Sequence, residues 1–157
     1  MKPVRLTWML LLFVSLLSCA KVFSPDAPSS YQVMFGYGTS FGECIGYCKT
    51  ELSINDGLAR LVVSSWQPKE LPEKSTSERL PDDEWNALLQ NVNWEDFKQQ
   101  PEVIGCPDCA DGGAEWVKLQ IGNDEKKVTF EFGKTLDGQE NLLQQLRAIH
   151  ERMRQNI

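Results

Sequence analysis

An α+β fold is the reading that this 157-residue chain supports, and three observations carry it. Residues 47–66 and 114–132 alternate apolar and polar side chains on either side of a turn, the pattern of antiparallel hairpins. Residues 81–92 and roughly 138–155 repeat apolar side chains every three or four positions, the pattern of amphipathic helices. The strands come in pairs with the helices set apart, which favours α+β over a parallel α/β sheet. The expected architecture is an antiparallel sheet of about five strands, two hairpins plus an opening strand, with two main helices packed on one face. The chain is long enough for one domain with its own core, expected over 31–157.

The elements follow in order. Lys2 and Arg5 precede Leu6–Leu17, a run of 12 mostly apolar residues. A helix spanning a bilayer needs roughly 20 residues, so the run has the form of a secretory signal peptide over 1–18. Residues 19–30, with Pro25, Pro28 and three serines, have no periodicity and read as a tether. Tyr31, Val33 and Phe35 alternate as an opening strand, and Gly36, Gly38 and Gly42 are expected to break it into a loop around Cys44 and Cys48. The glycines fit no phosphate loop, because neither G-x-G-x-x-G nor G-K-[ST] is present and no helical pattern follows. From Tyr47, Lys49, Glu51 and Ser53 share one face, and Cys48, Thr50, Leu52 and Ile54 the other. Asn55-Asp56-Gly57 is a hairpin turn signal, and Leu58 to Trp66 returns. Gln67 to Ser77, with Pro68 and Pro72, reads as an exposed loop.

Pro81 and the acids Asp82, Asp83 and Glu84 suit a first helical turn, where the dipole favours negative charge. Trp85, Leu88, Leu89 and Val92 then form one stripe. Asn93 caps a second short helix, 94–99, with Trp94 and Phe97 inward and Pro101 as its stop. In the second hairpin Val117, Leu119 and Ile121 oppose Trp116, Lys118 and Gln120. Gly122 to Glu125 turns the chain, and Val128, Phe130 and Phe132 form the returning apolar face. Leu142, Leu146, Ile149 and Met153 fit a last helix laid on a sheet.

Leu16-Leu17-Ser18-Cys19 resembles the lipobox of bacterial lipoproteins. That resemblance implies that Cys19 is diacylated and becomes the mature N-terminus. The partner it implies is a membrane, entered through the acyl chains, each buried CH₂ contributing about 0.8 kcal/mol. Ala20 stands where Asp would favour inner-membrane retention in some bacteria, so the expected localisation is the cell envelope, lipid-anchored at the outer membrane. The net charge is −6. Without residues 1–18, the 16 basic residues lose Lys2 and Arg5, leaving 14 against 22 acids and a net charge of −8. Such a domain repels polyanions, which argues against nucleic acid as a partner.

Four cysteines remain. Cys44-x-x-x-Cys48 and Cys106-x-x-Cys109 admit disulfides, a structural zinc site or a thiol–disulfide redox centre. Export and the even count favour disulfides. The redox reading meets two objections: no helix pattern follows Cys109, and Asp108 and Asp111 would raise a thiol pKa. Among disulfides, three connectivities exist. Gly42-Glu-Cys44-Ile-Gly46-Tyr-Cys48 resembles an uncharacterised secreted bacterial domain carrying C-x-G-x-C. Together with Gly105-Cys-Pro-Asp-Cys-Ala-Asp-Gly-Gly-Ala-Glu-Trp116 it is similar to a set of small hypothetical bacterial lipoproteins, a group that implies export and fold but no activity. The resemblance implies a Cys44–Cys48 bond, and two local pairs, Cys44–Cys48 and Cys106–Cys109, are the expectation.

No catalytic constellation, cofactor or metal site emerges. Asp108, Asp111 and Glu115 lack EF-hand spacing and read as an acidic turn rather than calcium ligands. His150, the one histidine, reads as a surface position on the last helix. Trp116 with Tyr47 is the candidate binding surface. The functional expectation is a non-enzymatic envelope domain that binds an envelope component or protein partner, with disulfide-stabilised loops. The alternative is an envelope thiol–disulfide protein using Cys106 and Cys109.

Overall fold

The structure is a computed structural model and describes residues 32–157. The signal segment, Cys19, the tether and Tyr31 lie outside the described residues. Period-two alternation builds the strands β1 (Val33–Ser40), β2 (Lys49–Asn55), β3 (Leu58–Ser64), β6 (Ala114–Ile121) and β7 (Asp124–Glu131). Two further strands, β4 (Lys74–Arg79) and β5 (Val103–Ile104), complete the sheet. Between β4 and β5 come α1 (Asp82–Gln90) and α2 (Trp94–Gln99), and α3 (Glu140–Arg154) closes the chain. The fold is α+β, a seven-stranded sheet in the order β4-β3-β2-β1-β6-β7-β5. All neighbours are antiparallel except β5, which runs parallel to β7. Among the described residues no helix is long and apolar enough to cross a membrane.

The opening strand lies at the centre. β1 pairs β2 on one side, with Tyr37 opposite Leu52, and β6 on the other, with Tyr37 opposite Val117. The hairpins β2–β3 and β6–β7 flank it. Asp56 and Gly57 both take positive φ, 48° and 69°, so the first hairpin closes on the mirror-image turn that matches strand twist. Phe35, Leu52, Leu61, Leu119 and Phe130 point to one face, where Leu88 of α1, Phe97 of α2 and the α3 stripe cover them. Leu142, Leu146 and Ile149 are each 0% exposed. Burying each such side chain contributes about 1.5–3 kcal/mol. Asn93 accepts from the Asp96 amide at 3.4 Å and caps α2.

Three expectations are corrected. The sheet has seven strands rather than about five, because Lys74–Arg79 pairs with β3 instead of looping out and Val103–Ile104 adds a short edge. Gly36 and Gly38 do not break the opening strand, which runs through both; their lack of side chains makes room for a neighbour. Phe132 does not extend the apolar face of β7. The strand ends at Glu131, and Phe132 is 47% exposed, edge-to-face with Phe41 at 4.9 Å.

Candidate functional site

Two constellations occupy opposite faces of β1. Phe35, Tyr37 and Thr39 point to the helices. Gly36 and Gly38 put no side chain on the other face of the same strand, which leaves a gap there. Trp116, opposite Gly38, reaches over it from β6. A Cβ at Gly36 would stand 3.2 Å from Trp116 Cζ3 and 3.0 Å from Lys118 Cβ. A Cβ at Gly38 would collide with the six-membered ring and with the Thr50 carbonyl. Over the ring lies the Lys127 ammonium, 4.3 Å from the centroid.

Around Trp116 the outer face forms a trough of about 370 Å³. Lys49, Glu51, Glu73, Lys118, Glu125 and Lys127 border it. Lys118 and Glu125 pair at 2.8 Å. Trp116 therefore faces the uncovered side of the sheet and is half-buried there. Tyr47 is not part of this lining. Its ring packs against the core cluster, its hydroxyl donates to the Pro72 carbonyl at 3.0 Å, and Lys74 lies 5.0 Å from its centroid.

On the covered face the structure brings together polar groups that the sequence reading kept apart. Glu115 is 0% exposed. Arg147 of α3 reaches both of its oxygens, Nε to Oε1 and Nη2 to Oε2, each at 2.6 Å. Tyr37 donates to Oε1 at 2.8 Å and the Gly133 amide to Oε2 at 3.0 Å. The carboxylate thus has a counterion and four hydrogen bonds, which is what a buried charge requires. Burial, and then the adjacent carboxylate, push the Tyr37 phenol well above its usual range. Donating to the Glu115 carboxylate raises the pKa of the Arg147 guanidinium in turn.

His150 is not a surface residue. It is 5% exposed, because it lies one turn beyond Leu146 and next to Ile149, on the buried side of α3. Its Nε2 lies 2.8 Å from Thr50 Oγ1, and its ring meets Tyr37 edge-on at 5.1 Å. Burial, with Arg154 nearby, lowers its pKa. Thr50 Oγ1 also lies 2.8 Å from Thr39 Oγ1 and accepts the Thr39 amide at 3.1 Å. Three partners use up the one donor and two acceptor sites of a hydroxyl, so Thr50 is not poised as a nucleophile. A recess of about 210 Å³ opens beside this cluster, between Tyr37, Phe41, Phe132 and Arg154.

The cysteines form two close pairs at disulfide distance. Cys44 and Cys48 have their Cα atoms 5.7 Å apart, and Cys106 and Cys109 5.5 Å. Both loops sit at the same end of the sheet, and Asp108 joins them: its Oδ1 accepts the Gly42 amide at 3.3 Å and the Gly113 amide at 3.1 Å. The second loop is tight enough to hold Asp108, Ala110 and Asp111 at positive φ. No helix follows Cys109, only a single 3-10 turn, Cys109–Asp111. Asp108 and Glu115, considered together as calcium ligands, are committed to different partners. Among the described residues no three His, Cys, Asp or Glu side chains converge on one point.

One signal could have found the inner cluster. Glu115 has the same parity as Val117, Leu119 and Ile121, so the alternation itself places a carboxylate on the apolar face. The chain matches no family model and no curated protein, so function is argued from the geometry of the site.

Proposed function

We propose that this chain is a lipid-anchored cell-envelope protein, held in the outer membrane through an acylated Cys19, that acts as a binding domain through the open face of its sheet. The observation behind the recognition surface is the bare stretch of β1. A glycine inside a strand costs stability, about 0.5–1 kcal/mol relative to alanine, and β1 carries two at the centre of the sheet. Packing of the core does not call for them, because they face away from it. They accommodate Trp116, which is thereby held in a fixed position on a solvated face. A rigid, half-buried tryptophan within a polar rim is the usual anatomy of a recognition hot spot. The buried Glu115–Arg147 pair ties α3 to β6 directly beneath.

Two measurements test this. Mass spectrometry of the chain from membranes reads Cys19: a diacylated N-terminal cysteine is expected, and an unmodified Cys19 after cleavage elsewhere overturns the anchor. Co-sedimentation of the full chain with isolated envelope material reads the surface. Trp116→Ala is expected to weaken retention at least tenfold, the ~1.4 kcal/mol that loss of a hot-spot residue exceeds.

Thiol–disulfide exchange at Cys106 and Cys109 is the second reading, and the exposure of both residues favours it. Equilibration in glutathione buffers followed by alkylation separates the two. Reduction near the thioredoxin range, about −270 mV, supports exchange, and resistance beyond about −300 mV supports a structural staple.

A further inference from the structure

Building on the reading of the open face as a recognition surface, we propose that the trough around Trp116 takes a short neutral oligosaccharide. Its lining comes from β3, β2, β1, β6 and β7, consecutive in the sheet, so it crosses four strand spacings, about 19 Å. That is a channel for a short chain lying across the strands rather than a cup for one small molecule. The volume of about 370 Å³ falls within the range of small-ligand sites.

The charges set the class. Lys49, Lys118 and Lys127 face Glu51, Glu73 and Glu125. The trough has no net charge, and the chain around it is acidic, so a polyanion gains nothing by approaching. A polycation finds three ammonium groups in its way. A ligand rich in hydroxyls uses both signs at once: each carboxylate accepts from hydroxyls, and each ammonium donates to them. Among the described residues neither Glu51 nor Glu73 has a charged partner, and Lys49 and Lys127 rest over the Trp66 and Trp116 rings at 4.2 and 4.3 Å. These groups are therefore free to rearrange around an arriving ligand.

Trp116 supplies the platform. One side of its ring lies against the β1 backbone at Gly36 and Gly38, and the Lys127 ammonium lies 4.3 Å from its centroid. The C–H face of a sugar ring presents partial positive charge to the π cloud, as that ammonium does, and replaces it with a larger area of contact. A protein anchored by apolar side chains would need an apolar centre, and among the described residues Trp116 and Val62 are the only large apolar side chains in the lining.

The test is titration calorimetry on the full chain in a detergent without a sugar headgroup, against chitotetraose, cellotetraose, maltotetraose and mannotetraose, with tetragalacturonate as the anionic comparator. At least one neutral tetrasaccharide is expected to bind with a Kd of about 1 mM or tighter. Trp116→Ala should weaken it at least tenfold and Glu51→Gln about threefold, while Trp116→Phe, which keeps an aromatic face, should retain most of the affinity. Near-UV circular dichroism confirms that each variant is folded, and Glu51→Gln, on the exposed surface, serves if Trp116→Ala is not. Binding by none of the neutral sugars, tighter binding of tetragalacturonate, or binding insensitive to both Trp116→Ala and Glu51→Gln overturns the proposal. If envelope retention depends on Trp116 while no sugar binds, the ligand class falls and the recognition surface stands. If neither depends on Trp116, both fall.

Discussion

A carboxylate on the apolar side of a strand must find its partners inside the protein, and Glu115 does so through Arg147, Tyr37 and Gly133. Removing its charge leaves the Arg147 guanidinium, 33% exposed, without its counterion. Glu115→Gln is expected to destabilise the fold by about 3 kcal/mol in urea unfolding, because breaking a buried pair costs more than the pair itself contributes. His150 makes a different prediction. Its folded-state pKa lies below 6.5, so between that lowered value and 6.5 the unfolded chain binds a proton that the folded chain does not. Stability contributed by neutral His150 is therefore complete above pH 6.5 and falls as the pH drops below it. Arg154 reinforces the effect, while Glu151 and Glu115 oppose it. The urea midpoint of the wild type should fall more steeply between pH 7 and 5 than that of His150→Gln, and equal slopes would refute this role. With one histidine in the chain, its NMR titration reads the same pKa directly.

The central strand shows how a sequence can mislead about an element. Glycines in a run of alternating residues look like breakers, yet β1 continues for eight residues because β2 and β6 pair it on both sides. Local propensity loses to two complete ladders. Gly38→Ala is expected to cost about 1–3 kcal/mol, since its methyl would meet both the Trp116 ring and the Thr50 backbone carbonyl. Pairing Gly38→Ala with Trp116→Ala should restore only part of that loss, because the carbonyl cannot move aside; full recovery in denaturation would mean the ring was the whole obstacle. The hairpins, α1, α2 and α3 were legible because their apolar periods are strong. β4 was not, because Lys-Ser-Thr-Ser-Glu-Arg at a sheet edge carries no apolar alternation, and a two-residue strand such as β5 has no period to read. His150 was hidden by its charged neighbours Glu151 and Arg152, although its spacing from Leu146 places it inward. Trp116 was legible as an outward residue, but its contact with β1 depends on a pairing far apart in the chain.

Across the described residues, the two staples sit differently against the core: Cys48 is buried, while Cys106 and Cys109 are exposed. The helices cover one face of the sheet, while both cysteine pairs hold loops at one end of it. Each pair closes a short loop and constrains little of the unfolded chain. Replacing either pair with serines should cost about 2 kcal/mol and lower Tm by about 4–8 °C, with the far-UV circular dichroism unchanged. Loss of the folded signal would show that the loops carry the core. Elsewhere Arg152 binds Glu78 of β4 and Glu84 of α1 together, from 2.6 to 2.9 Å, and so joins the far edge of the sheet to the helical layer.

The position of β1 has a mechanical consequence. Among the described residues it is the first strand of the sheet and also the middle one, so a chain attached at its N-terminal end hands any tension to the centre rather than to an edge. The hydrogen bonds to β2 and β6 run across the direction of pull. A load along β1 is therefore shared by both ladders at once in shear, where an edge strand would peel one bond at a time. A domain held by one end against a ligand on its open face would resist extraction through the part of the sheet with the most neighbours.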